Sequence, residues 1–178
     1  MSETLDVGCG KRKQGTVNID LDRRVRPDIV CDMLFLPFRR EAFSRIILTF
    51  VVEHTIKPRQ LMSACTQTLR PEGTIEISFP NVASFTVLLD WLMKEISYSE
   101  SLLLGDPASS YLAHRALYTV SKVERLLLAH GFQIEKIVGH PPSVGPRLLR
   151  LLGVLLVNLF PKRAGTVTII ARKMREKG

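Results

Sequence analysis

Thr4-Leu5-Asp6-Val7-Gly8-Cys9-Gly10, close to the N-terminus, reads as a short apolar strand running straight into a glycine turn. Beyond Gly10 the chain reaches Val17-Asn18-Ile19-Asp20, a second apolar strand ending on a carboxylate. Glycine brings a backbone close to a ligand with no Cβ in the way and reaches φ > 0. An acid at the tip of the next strand can accept both hydroxyls of a ribose. Strand, glycine loop, strand and acid together propose a site for an adenosine-type molecule.

Spacing narrows that reading. A dinucleotide fingerprint needs G-x-G-x-x-G opening a helix, with the acid about 20 residues further on. Here Lys11, Arg12 and Lys13 follow Gly10, the third glycine is missing, and Asp20 arrives early. On these residues the chain resembles the class I S-adenosylmethionine-dependent methyltransferases, whose first motif reads like residues 5–10, and more closely their small type 11 members. The resemblance continues at Val17-Asn18-Ile19-Asp20, at residues 28–32 with Leu36-Pro37-Phe38, at Val51-Val52-Glu53-His54, at residues 69–73 and at Phe79-Pro80-Asn81. These pieces stand in the family's order. One departure is Phe43-Ser44, where the family usually carries an acid near the start of the fourth strand.

The resemblance implies an α/β fold: a doubly wound, mostly parallel seven-stranded sheet, Rossmann-like, with an antiparallel last strand. It implies S-adenosylmethionine as cofactor. Asp6 would lie under the glycine loop and reach the methionine ammonium through backbone or water. Gly8, Cys9 and Gly10 would pass beside the cofactor. Asp20 would take the ribose hydroxyls with Leu21 on the adenine, Asp32 would accept from the adenine amino group with Met33 beside the ring, and Phe50 would sit in the stretch facing the methyl group. The residues leave alternatives open: Asp20 as a turn residue or helix cap with Asp22 as its competitor, Asp32 as a strand-end cap, and Glu53-His54 as the builders of a turn.

Composition sets the outer limits. At 178 residues, 46% hydrophobic and 24% charged, the chain is expected to be one globular domain. No basic-then-apolar leader and no apolar run of about 18 residues or more is found, so the expected address is cytoplasmic. The three cysteines are far apart and fit neither a disulfide framework nor a C-x-x-C metal site. The net charge of +8 is the outlier. It suits an anionic acceptor, nucleic acid or a lipid surface as well as a plain solvated face, although no aromatic-interleaved basic groove accompanies it.

Along the chain, the links between the first three strands are too short for the dozen or more residues that a helical crossover needs. The early helices are therefore expected to be reduced, and a later segment or a second subunit, in a homodimer, is expected to cover the bare sheet face. Residues 45–51 form the fourth strand. Pro58 suits a first helical position, with Leu61, Met62, Cys65 and Leu69 at helical spacing, and residues 74–79 alternate as the fifth strand. Residues 82–118 are an insertion expected to act as lid and acceptor wall; Phe85, Leu88, Leu89, Trp91, Leu92 and Ile96 share one helix face, expected to cover core. Ser121-x-x-Glu124 reads as a capping box, and Gly131 closes that helix. Residues 134–138 and 166–171 are the last strands. Between them residues 146–161 form a helix apolar nearly all round, with Arg147, Arg150 and Asn158 as its only polar stripe; such a helix is expected to be buried, and a membrane-surface contact is the sharper alternative.

Methyl transfer from a sulfonium is an in-line displacement that asks chiefly for positioning. A hydroxyl acceptor would need a general base, for which His54 and His114 are the candidates; His130 and His140 read as structural. No histidine pair has the i, i+4 spacing of a metal helix, so no metal is expected. The leading reading is methyl transfer to a small or amphiphilic acceptor. A non-catalytic scaffold keeping the fold, an RNA methyltransferase and an NADP-dependent oxidoreductase, with Arg23 and Arg24 at a 2′-phosphate, are the alternatives.

Overall fold

A computed structural model describes residues 3–92, 115–141 and 147–175. The strands are β1 (Thr4–Val7), β2 (Val17–Asp20), β3 (Ile29–Val30), β4 (Phe43–Thr49), β5 (Leu69–Pro80), β6 (Phe132–His140) and β7 (Thr166–Lys173). Among the described residues they form one seven-stranded sheet in the order β3-β2-β1-β4-β5-β7-β6. The first five run parallel, and β7 lies antiparallel to both β5 and β6. The expected doubly wound sheet with an antiparallel last strand is therefore present. The helices are α1 (Pro58–Thr68), α2 (Phe85–Leu92), α3 (Val120–Leu128) and α4 (Arg147–Leu159).

The reduced early helices are real. Between β1 and β2 there is only loop, and between β2 and β3 a single 3-10 turn, Arg23–Val25, capped by the Asp22 side chain. Part of the cover here is local, while Ile29 and Val30 of β3 stay exposed. The loop before β2 lies flat on the strands: Gln14 N–H donates to Asp6 Oδ2 at 2.8 Å, and Gly15 N–H to Asn18 Oδ1 at 3.0 Å. A Cβ on Gly15 would stand 2.8 Å from the backbone of Asp6, so no bulkier residue could lie so close. The loop after β3 sends Met33, Leu34, Leu36 and Phe38 against the core, and Phe38 meets Phe43 edge to face at 4.9 Å. Polar ties and a loop thus stand in for two helices.

Several boundaries and surroundings differ from the sequence expectation. The helix before β6 is capped by Thr119, whose side chain accepts from Lys122 N–H, not by Ser121; Glu124 instead pairs with Lys162 at 2.8 Å. Strand β5 begins five residues earlier than the alternation suggested, because Leu69 leaves α1 straight into pairing with Phe43. On α2, Phe85 and Leu88 are exposed, where core cover was expected. Helix α4 lies over β6, at the far edge from β2 and β3, so within one chain it does not cover them, and most of its apolar arc is exposed. Val157 is its buried anchor, seated on Gly139, where a Cβ would come within 2.8 Å of the Val157 side chain.

Candidate functional site

Parallel strands bring their C-terminal ends to one side of a sheet, and ligands of open α/β folds collect there, where the strand order reverses. In this chain the reversal falls between β1 and β4. The residues at that end are Gly8 to Gly10 after β1, Asp20 and Leu21 after β2, Asp32 and Met33 after β3, and Phe50 after β4. The topology therefore gathers all the residues singled out as cofactor-binding at one end of the sheet.

Asp6 is the most informative of them. It is buried inside a strand flanked by Leu5 and Val7, which are fully buried. Its Oδ2 accepts from Gln14 N–H, while Oδ1 has no hydrogen-bond partner among the described residues. Burial pushes its pKa up, the Gln14 amide pulls it down, and the charge of Asp20 pushes it up again. An acceptor buried without a partner is expensive, and a cationic or N–H group arriving at this spot would relieve it.

The turn beyond Asp6 is built for close approach. Gly8 has φ +66, and a Cβ there would meet Val51 Cγ2 at 2.7 Å; at Gly10, with φ +53, a Cβ would meet nothing within 4 Å. One glycine is packed from behind and the next opens onto free space. Gly10 N–H donates to Asp20 Oδ2 at 2.9 Å, and Asp22 N–H to Asp20 Oδ1 at 2.9 Å. Asp20 is thus both the organiser of the turn and a carboxylate with unused lone pairs at the rim. Cys9 takes part through its backbone, its N–H bonded to Ile19 O at 3.0 Å. Its thiol is buried, and burial raises its pKa to about 11, so it stays protonated and inert.

The other positions are rim features. Leu21 is 69% exposed at the strand tip. Asp32 Oδ1 accepts from Leu34 N–H at 2.9 Å, the strand-end cap, which leaves its second oxygen open to other partners. Phe50 holds a left-handed φ of 56, a conformation costing a bulky residue about 1–3 kcal/mol. Its N–H is tied to Ser78 O at 2.9 Å, and its ring is left exposed at the end of β4. His54 lies in the 3-10 turn Val52–His54; His114 lies outside the described residues, as does most of the expected lid. His130 and His140 are structural, the first bonded to Leu126 O and the second to Thr168 Oγ1. Among the described residues no three His, Cys, Asp or Glu side chains cluster as a metal site.

Three features escaped the sequence. Gln14 joins the site from both ends, its N–H on Asp6 and its Nε2 on Thr49 Oγ1 at 3.1 Å; nothing in a polar loop marks such a residue. Asp28 receives both the N–H and the Nδ2 of Asn18, and Lys13 adds an ion pair at 3.3 Å. Glu53, read only as a turn builder, is 2% exposed with neither carboxylate oxygen partnered among the described residues. Burial raises its pKa to about 7, and its charge helps burial raise that of Tyr118, whose hydroxyl is also unpartnered among the described residues, to about 12.

The comparisons agree with this geometry. A family model described as "Methyltransferase domain" matches residues 13–77, from just beyond the glycine turn into β5. A search of curated protein sequences found no match. A crystal structure of a SAM-dependent methyltransferase from Archaeoglobus fulgidus is 17% identical, with 97% of this chain and 86% of that one covered at a TM-score of 0.65. One from Thermotoga maritima is 15% identical, with 97% and 83% covered at 0.67. The [4+2]-cyclase SpnF is 15% identical, with 98% and 76% covered at 0.59. At these identities the likeness shows the fold. The chain thus has the class I methyltransferase fold and a type 11 methyltransferase match, and the cofactor these imply is S-adenosylmethionine.

Proposed function

We propose that this chain transfers a methyl group from S-adenosylmethionine to a small or amphiphilic acceptor. The observation that carries the reading is Asp6, whose buried Oδ1, unpartnered among the described residues, belongs to the strand at the switch point that runs into a glycine turn opening onto free space. Asp6 and the turn amides would take the methionine end of the cofactor. Asp20, already fixed by Gly10 and Asp22, would accept the ribose hydroxyls without reorganising. Leu21, Met33 and Phe50 would supply the apolar walls around the adenine and the reacting centre.

When bound, the cofactor supplies a methyl group on a positively charged sulfur. The chain's own share is to hold that group and an acceptor in line and to keep water out, which is where most of the acceleration of a displacement can come from. The Gln14 tie to Thr49 links the end of β4 to the loop after β1, and the Phe50 N–H on Ser78 O holds it to β5.

Calorimetric titration with S-adenosylmethionine and S-adenosylhomocysteine, with NADPH as control, tests the reading. Micromolar binding of both sulfur compounds, lost in Asp20→Ala, and no heat with NADPH is the expected result. Binding of NADPH in preference, or of neither class, overturns it.

A further inference from the structure

The second distinctive surface is apolar and lies at the opposite edge of the sheet from β2 and β3. On α4, Leu151, Leu155 and Leu159 are 60%, 56% and 63% exposed, and their i, i+4 spacing puts them on one stripe. Phe160, at the end of the helix, stacks edge to face on Phe85 of α2 at 5.9 Å, and Phe85 and Leu88 are exposed as well. Two helices therefore share one continuous apolar face, larger than the scattered leucines that soluble surfaces tolerate.

Along the sequence, the segment that contains α4 carries charge of one sign. From Lys136 to Arg175 all eight charged residues are basic and none is acidic, which equals the whole excess of +8, so the rest of the chain is balanced. Four of the eight, Arg147, Arg150, Lys162 and Arg163, lie on α4 or just after it. Lys162 has Glu124 as its ion-pair partner and Arg163 donates to Ala83 O at 3.1 Å. On α4 itself the apolar stripe has basic ends and no acid, the pattern of a helix lying in the headgroup layer of an anionic bilayer, while α2 carries one acid, Asp90. With 13 residues α4 is about 20 Å long, too short for the ~30 Å hydrocarbon core, and no described helix is long and apolar enough to cross a membrane.

We propose that the α2–α4 face is a seat on an anionic lipid surface. A second copy is the rival occupant, and charge argues against it: a contact through α4 of both copies would bring together two helices that carry basic residues and no acid. Position favours lipid. Helix α4 leaves the sheet after His140 and returns before Thr166, residues paired with each other, and Thr166 also pairs with Pro80 at the end of β5. They lie at the same end of the sheet as the proposed cofactor rim of β1 to β4, so a bilayer against α4 would lie at the edge of that end.

The test needs neither cofactor nor acceptor, so it stands apart from the methyl-transfer reading. The full chain is sedimented with phosphatidylcholine vesicles and with mixed phosphatidylcholine–phosphatidylglycerol vesicles at rising salt, while light scattering reports its mass in solution. Sedimentation with the anionic vesicles, weakening as salt rises, is expected. A Leu155→Glu/Leu159→Glu variant, both positions being exposed, should keep the circular dichroism and melting temperature of the wild type and lose at least about tenfold in partitioning. Arg147→Gln/Arg150→Gln should lose several-fold on anionic vesicles alone. No partitioning at low salt, partitioning that the leucine variant leaves intact, or a dimer in solution that the leucine variant dissociates overturns the proposal.

Discussion

The first three strands and the last three carry loops to the same end of one sheet, and they are held by opposite means. Strands β1, β2 and β3 have 4, 4 and 2 residues and are tied down by polar groups: Asp6 with Gln14, Asn18 with Gly15 and Asp28, Asp20 with Gly10. Strands β5, β6 and β7 have 12, 9 and 8 residues, long ladders whose buried side is Ile75, Ile77, Phe79, Val167 and Ile169. A sheet that keeps its early helices can leave its switch point to packing. This one replaces helices by hydrogen bonds, so the residues that hold the fold there are the residues that would hold the ligand.

That contrast can be broken most severely at Asp6. Asp6→Ala leaves the Gln14 N–H unpaired and a void in the strand, and is expected to cost about 3 kcal/mol in chemical denaturation together with all measurable cofactor binding. Asp6→Asn keeps an acceptor for Gln14 and sheds a charge that burial disfavours, so it should melt no lower than wild type and still fail to bind.

Glu53 sharpens the comparison through pH. Burial raises its pKa from the ordinary 4.5 to about 7, so the folded chain holds a proton that the unfolded chain releases. Its contribution to stability is therefore full below about pH 4.5 and is lost as pH rises through about 7, by about 3 kcal/mol. Glu53→Gln is expected to flatten that dependence, raising the melting temperature at pH 8 and leaving it unchanged at pH 4. A variant that melts lower at pH 8 would contradict a buried, unpaired carboxylate.

At the apolar end the matching change is Gly139→Val, which forces a side chain into the space of Val157, Pro161 O and Ala164, each 2.8 Å from an added Cβ. A loss of about 1–3 kcal/mol is expected, with cofactor affinity unchanged because the damage falls across the sheet from β1. The smallest effect is expected from Gln14→Ala: it keeps the backbone amide on Asp6, removes only the bond to Thr49, and should cost about 0.5–1.5 kcal/mol with a several-fold loss of affinity.

What the sequence made legible follows the same division. The glycine turn and the strands ending near Asp6 and Asp20 were readable because short apolar runs, glycines and strand-tip acids are local signals, whereas the seven-stranded doubly wound sheet followed from the resemblance; Asn81, quoted with Phe79 and Pro80, proves to be the latch whose Nδ2 holds Lys162 O and Ala164 O at 3.0 Å. Gln14 and the left-handed Phe50 were not readable, since their roles depend on which distant strand lies beside them. Thr119 displaced Ser121 as the cap because either hydroxyl satisfies the local pattern and tertiary packing fixes where the helix begins. The apolar arc of α4 reads as buried in any periodicity argument, but burial needs a facing surface, and only the fold reveals that β6 offers room for Val157 and little more.

The most direct measurement is an amide NMR titration of the labelled chain with S-adenosylhomocysteine. Shifts confined to residues 5–10, 14, 18–22, 32–35 and 49–51, with the amides of β6, β7 and α4 unmoved, are the predicted result. Shifts centred on β6 or α4, or none in the first fifty residues at saturating ligand, would contradict a cofactor site at the polar end of the sheet.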